Sequence, residues 1–124
     1  MTNFVLWFII IETMKQIYEL HAEICKTLAN PKRLEIITLL REGERSAAEL
    51  RLKTGLLKAN LSQHLSIMRL KGIIKTRKVG LTVYCRIANP KIVKACDLMR
   101  EVLDESLQEQ SQLFRGRRSG RWKP

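Results

Sequence analysis

At 124 residues the chain is the size of one compact domain with short extensions, which leaves little room for a two-domain enzyme. With 45% apolar and 28% charged residues and only three prolines, its composition is that of a folded protein and excludes a disordered one. The formal net charge of +11 is unevenly placed: residues 1–49 hold six basic and seven acidic groups, 50–96 eleven and none, 97–110 one and five, and 111–124 five and none. Mixed signs suffice for solubility, so a long central block without one carboxylate points to a polyanionic partner.

The chain opens on an apolar run, Phe4 to Ile11 (FVLWFIII). Eight residues fall far short of the roughly 20 needed to cross a bilayer, and no basic flank precedes them. Residues 1–13 are therefore an N-terminal extension. Either it is a segment of no defined role added by an upstream start codon, or it packs onto a dimer as an extra helical turn. From Met14 to Leu28 the apolar positions Ile17, Leu20, Ile24 and Leu28 recur at intervals of three and four, the mark of an amphipathic helix.

Asn30-Pro31 supplies an N-cap and a proline suited to the first helical position, which predicts a second helix through Leu34, Ile37 and Leu40 to about Arg41. Gly43 ends it. Ser46 and Glu49 have capping-box spacing and predict a third helix over 47–54, closed by Gly55. A fourth, over about 58–71, stacks Leu61, Leu65 and Met68 on one face and ends at Gly72. The period then falls to two in Ile73–Lys78 and Thr82–Ile87, which reads as a hairpin. Asn89-Pro90 repeats the cap-plus-proline signal, and Ile92, Cys96, Met99, Leu103 and Leu107 stripe a last helix reaching about Gln110. Residues 111–124 read as a basic, disordered tail.

The order ααααββα is mainly α with a small β-hairpin wing, the pattern of a winged helix-turn-helix over residues 14–110. In that arrangement a brace helix holds a second helix whose polar face enters the major groove of duplex DNA. Lys58, Asn60, Ser62, Gln63, Ser66 and Arg69 on the fourth helix are the candidate base and phosphate contacts, since amides match the adenine edge and hydroxyls reach phosphates. Lys75, Arg77, Lys78 and Arg86 on the hairpin would grip backbone or minor groove. Structured RNA is the competing polyanion, although its deep, narrow groove would not admit the helix.

Three stretches carry a family resemblance: LANPKRLEIITLL (28–40), SAAELRLKTGL (46–56) and NLSQHLSIMRLKGIIKTRKVGLTVYCRI (60–87). They resemble the arsenic-repressor (ArsR/SmtB) family of winged-helix regulators over about residues 17–107. The family's Ser-x-His-Leu block falls on Ser62, His64 and Leu65, its Arg-x-x-Gly on Arg69 and Gly72, and its wing tyrosine on Tyr84. One departure is Leu57, where the family places a serine N-cap. The resemblance implies a homodimeric repressor, cytoplasmic and released from its operator by an effector. Because the first and last helices pack together in that family, Ile17, Leu20, Ile24, Ile92, Cys96, Met99 and Leu103 are the expected dimer interface. His64 reads first as a partly buried histidine bonded to backbone beside Leu65, with base contact or metal binding as alternatives.

The family's metalloid site, a Cys-Val-Cys pair, aligns with Ser46-Ala47-Ala48, and its last-helix zinc site needs histidines that this chain has only at positions 21 and 64. Neither familiar site is present. What remains is His21 and Cys25, one turn apart, with Cys96. These could bind arsenite, antimonite, Cd(II) or Zn(II) across a dimer, form a disulfide or polysulfide bridge, or be inert small hydrophobes. Cys85 reads as structural. An odd cysteine count with no Cys-x-x-Cys pair and no secretory leader fits a reducing cytoplasm. No phosphate loop, nucleophile-base pair or close carboxylate pair occurs, so no catalytic residue is assigned.

Overall fold

Local capping fixes most of the element boundaries. The computed structural model describes residues 2–118, with side chains from 3 to 115. Its elements are α1 (Thr2–Leu28), α2 (Pro31–Leu39), β1 (Arg45–Ser46), α3 (Ala47–Thr54), α4 (Lys58–Leu70), β2 (Ile74–Val79), β3 (Thr82–Ile87) and α5 (Lys91–Arg118). The chain divides into two units, Met1–Asn89 and Pro90–Pro124.

In the first unit Asn30 caps α2 as expected, its Oδ1 accepting from the Lys32 and Arg33 amides at 2.9 and 3.2 Å. Such a cap is worth about 1 kcal/mol. Ser46 caps α3 by accepting from the Glu49 amide at 3.1 Å, but the reciprocal half of the box does not form. The Glu49 carboxylate instead pairs with Arg45 at 3.1 Å. Arg45–Ser46 form a strand that the hydrophobic pattern does not announce: β1 adds antiparallel to β3 to give the sheet order β1-β3-β2. A two-residue strand has too little periodicity to read, and only the pairing reveals it.

Ile36, Ile37 and Leu40 from α2 and its C-cap, Leu50 from α3, Leu61, Leu65 and Met68 from α4, and Ile73, Ile74 and Cys85 form the buried core. Truncating one of the fully enclosed aliphatic side chains to alanine costs about 2–5 kcal/mol. This core is what presents the outer face of α4.

The two long helices differ from expectation at their outer ends. α1 begins at Thr2 rather than near Met14, because residues 3–14 contain no glycine or proline to break it. α5 runs past Gln110 to Arg118. Leu103, Leu107, Gln110 and Phe114 keep helical spacing, and no breaker intervenes before Gly116. The disordered tail expected over 111–124 is thus helical as far as Arg118; the remainder of that expectation lies outside the described residues.

Candidate nucleic-acid interface

Gly55 makes the turn between α3 and α4. It sits at φ 70°, in the left-handed region, and its amide donates to the Arg51 carbonyl at 3.0 Å. A side chain there would be strained, which is why glycine closes the brace helix. α4 then starts at Lys58 with Leu57 as an N-cap that makes no side-chain hydrogen bond. Its ridge of Leu61, Leu65 and Met68 is buried, so the 3.6-residue period turns Lys58, Asn60, Ser62, Gln63, Ser66 and Arg69 outward, all exposed. All six residues expected to contact DNA from the fourth helix are thus accessible, spread over the sides of α4 that the ridge leaves open.

His64 lies between the two faces and is half-buried. Its partner is a side chain rather than the backbone expected for it: Arg33 Nε donates to His64 Nδ1 at 3.1 Å. Arg33 also donates through Nη1 to the Thr27 carbonyl at 3.2 Å, so one guanidinium ties the end of α1 and the recognition helix to α2. Burial first, then the Arg33 positive charge, lowers the His64 pKa below its ordinary value. A neutral imidazole that accepts at Nδ1 keeps its proton on Nε2. The sequence gives no sign of this role for Arg33, since its 31-residue separation from His64 leaves no periodic signal.

The wing is the β2–β3 hairpin, turned at Gly80 with φ 60°. Alternation puts Ile74, Thr76, Cys85 and Ile87 on one face and Lys75, Arg77, Tyr84 and Arg86 on the other. Lys75 and Arg86 are direct cross-strand partners, and both are exposed. Like charges so placed repel, and an anion between them relieves the repulsion. Lys78, nearer the tip and opposite Val83, is exposed as well.

Arg77 is held differently from its neighbours. Its Nε donates to Glu44 at 2.9 and 3.1 Å and its Nη2 at 2.6 Å, while its guanidinium carbon lies 4.6 Å from the centre of the Tyr84 ring. The Arg77 hydrogen bond holds the Glu44 carboxyl below its ordinary range, and Arg86 adds a smaller effect of the same sign. Glu44 precedes β1, outside the acid-free block, so charge counting along the chain does not connect it with the wing. The stacking on Tyr84 is more accessible from sequence, because the two residues are register partners.

The proposed sensor residues lie elsewhere. His21 and Cys25 are exposed on α1 at a spacing of four, and Cys96 is half-buried on α5. Among the described residues of one chain, no three His, Cys, Asp or Glu side chains gather in a way that could hold a metal ion. The position of the family's metalloid pair does not fit one either, since the Ser46 hydroxyl is spent on capping α3 and the alanines carry no donor. Cys85 is fully buried, and burial pushes its thiol up to about 11, which keeps it protonated and unreactive. Of the expected dimer residues, Ile17, Leu20, Met99 and Leu103 are exposed, and Ile24, Ile92 and Cys96 half-buried.

A brace helix, a glycine turn, a polar outward recognition helix and a cationic hairpin beside it define a winged helix-turn-helix DNA-binding protein. Residues 30–76 match the model of the bacterial regulatory protein arsR family. The HTH-type transcriptional regulator Rv0081 of Mycobacterium tuberculosis is 37% identical over 105 residues, which cover 84% of this chain and 92% of that relative. Its crystal structure superposes with a TM-score of 0.71 at 38% identity, over 77% of this chain and 96% of that one. The homodimeric winged helix-turn-helix DNA-binding domain Mb0332 of Mycobacterium bovis, solved by NMR, gives a TM-score of 0.70 at 30% identity, over 77% and 89%. A biofilm growth-associated repressor of Agrobacterium fabrum is 35% identical over 78 residues, 63% of this chain and 67% of the relative. The chain belongs to the arsR family and is a transcription regulator, not an enzyme. Among the described residues no helix is long and apolar enough to cross a membrane.

Proposed function

We propose that the protein is a cytoplasmic repressor that binds duplex DNA as a homodimer and leaves its operator when an effector binds. The observation that carries this reading is the acid-free, outward set on α4 and the wing: amides and hydroxyls on the helix, with an opposed cation pair, Lys75 and Arg86, on the hairpin. Amides read base edges, and cations grip phosphates whatever the sequence. The homodimeric Mycobacterium bovis domain supports the dimer, and the Agrobacterium repressor supports repression. Selection of binding sites from random duplex DNA, followed by titration against duplex RNA at two salt concentrations, tests the reading. A sequence preference on DNA that survives competitor supports it; equal affinity for every duplex overturns it.

The effector reading is a thiophilic metal or metalloid, with arsenite, antimonite, Cd(II) and Zn(II) as candidates. Its support is the exposed His21–Cys25 pair, spaced so that both side chains share one helix face. Cys96 is the third candidate ligand, and the set would draw on two copies of the chain. Operator release by each metal, by an oxidant and by polysulfide is measured on the wild type and on Cys25→Ser and Cys96→Ser. Release by metal alone that is lost in both variants supports the metal reading. Release by oxidant or polysulfide alone would assign the same cysteines a redox role, and release that survives both substitutions would remove them as sensors.

A further inference from the structure

The first half of α1 presents more apolar surface than a free helix sustains. Phe4, Val5, Leu6, Trp7, Phe8, Ile9 and Ile10 are each 53–75% exposed, a contiguous patch of the kind that marks an interface. One line within this surface is ordered. Leu6, Ile10, Thr13, Ile17, Leu20 and Ile24 follow one another at alternating intervals of four and three along most of the helix, up to the point where Thr27 turns into the chain's own core. A strict seven-residue repeat is the seam of a helix that packs along a partner helix, narrower than the stripe of a helix lying on a globular core.

The threonine in this line does not interrupt it. Thr13 Oγ1 donates to the Ile9 carbonyl at 2.8 Å. Its hydroxyl is satisfied inside its own helix and keeps its partner when water is removed. The repeat is also continuous from the extension into Ile17, Leu20 and Ile24, the α1 residues assigned to the homodimer. A lipid surface is the other occupant to weigh, and charge argues against it. From Glu12 onward the polar face of α1 carries Glu12, Lys15, Glu19, Glu23 and Lys26, with Lys15 paired to Glu12 and Lys26 to Glu23, and residues 2–11 carry no charge, whereas helices that lie on anionic membranes carry a cationic face.

We infer that a second copy of this chain covers the Leu6–Ile10–Thr13 end of α1, so that residues 4–14 prolong the dimer seam rather than trail from the domain. The inference rests on the homodimer reading and adds the extension to it. At 1.5 Å per residue, the repeat from Leu6 to Ile24 gives a seam of about 27 Å, against about 10 Å for Ile17 to Ile24 alone.

The test is sedimentation equilibrium of the full chain, of Leu6→Glu/Ile10→Glu, and of Lys15→Glu on the opposite face of the helix. Operator binding well above the dimer dissociation constant checks that the reading head of each variant is folded. Replacing two buried aliphatic side chains by charges raises that constant by about 100-fold or more. Lys15→Glu leaves it within about threefold, as expected for an exposed charge. A wild-type dimer whose constant is unchanged in the double variant overturns the inference and leaves the homodimer standing. A full chain that stays monomeric at every concentration overturns both. Flotation with phosphatidylcholine/phosphatidylglycerol vesicles that the double variant abolishes, with dimerisation intact, overturns the inference in favour of lipid.

Discussion

On α4 the outward side chains Asn60, Gln63 and Arg69 stand exposed, whereas on the wing Arg77 is clasped by Glu44 and stacked over Tyr84. Both regions lie in the block that contains no acid of its own, and the acid that reaches the wing comes from the turn before β1. On the proposed function the contrast separates two tasks. A base-reading amide needs unspent hydrogen-bonding capacity and a backbone that holds its place, which the buried Leu61–Leu65–Met68 ridge provides. A phosphate-gripping cation works through charge, and a neighbouring carboxylate can hold part of that charge back. The wing therefore carries two kinds of cation: Lys75 and Arg86, which repel each other across the strands, and Arg77, whose guanidinium already has an anion.

Removing the amides should produce the largest effect. Asn60→Ala with Gln63→Ala is expected to cost about 1–3 kcal/mol of base discrimination for each bidentate amide–base pair removed. Operator affinity drops roughly 10- to 100-fold per pair, while affinity for scrambled DNA stays nearly constant. Fluorescence anisotropy with both duplexes measures this. Equal losses on the two duplexes would erase the distinction between a reading helix and a gripping wing.

The wing cations should give smaller, sequence-independent changes. Lys75→Ala and Arg86→Ala weaken operator and scrambled DNA alike, and each lowers the slope of log affinity against log salt by about one. Glu44→Gln acts in the opposite direction, because an uncharged amide no longer neutralises Arg77. Binding to scrambled DNA rises a few-fold and the salt slope steepens by up to about one. If Glu44→Gln changes neither quantity, Arg77 is a structural clasp for the wing and not a reserve of charge.

Much of this arrangement is legible in the sequence, for identifiable reasons. The caps at Asn30 and Ser46, the αL glycine at position 55 and the ridge on α4 are local signals, the longest of them running from Leu61 to Met68, and α3 falls on the residues they mark. The links that tune the site are long-range. Arg33 with His64 and Glu44 with Arg77 join residues 31 and 33 positions apart, and β1 exists only through its pairing with β3. The outer ends of α1 and α5 depart from expectation for another reason. At the N-terminus apolar residues on every side of the helix mask the seven-residue repeat, so the segment reads as an extension, and at the C-terminus basic composition reads as disorder, although neither segment holds a breaker that would stop a helix before Gly116.

The smallest expected effect concerns the clasp behind the recognition helix and reads out in stability rather than DNA binding. His64 has its folded pKa lowered from 6.5, by burial and then by Arg33. Below pH 6.5 the unfolded chain takes up the proton before the folded one does, so unfolding is favoured as pH falls. The contribution is fully present above pH 6.5 and is lost as pH falls through the lowered folded value, under which both states are protonated and no further change follows. Protonation also removes the Nδ1 lone pair that accepts from Arg33 Nε, which couples the loss to the tie between α2 and α4. Thermal unfolding midpoints measured from about pH 8 down to about pH 5 should fall for the wild type below pH 6.5 by more than for His64→Gln. The glutamine keeps a carbonyl able to accept from Arg33 but does not titrate, so the difference between the two curves isolates the histidine. Parallel curves would mean that the imidazole titrates alike in both states, and that Arg33 packs against the ring with no hold on its proton.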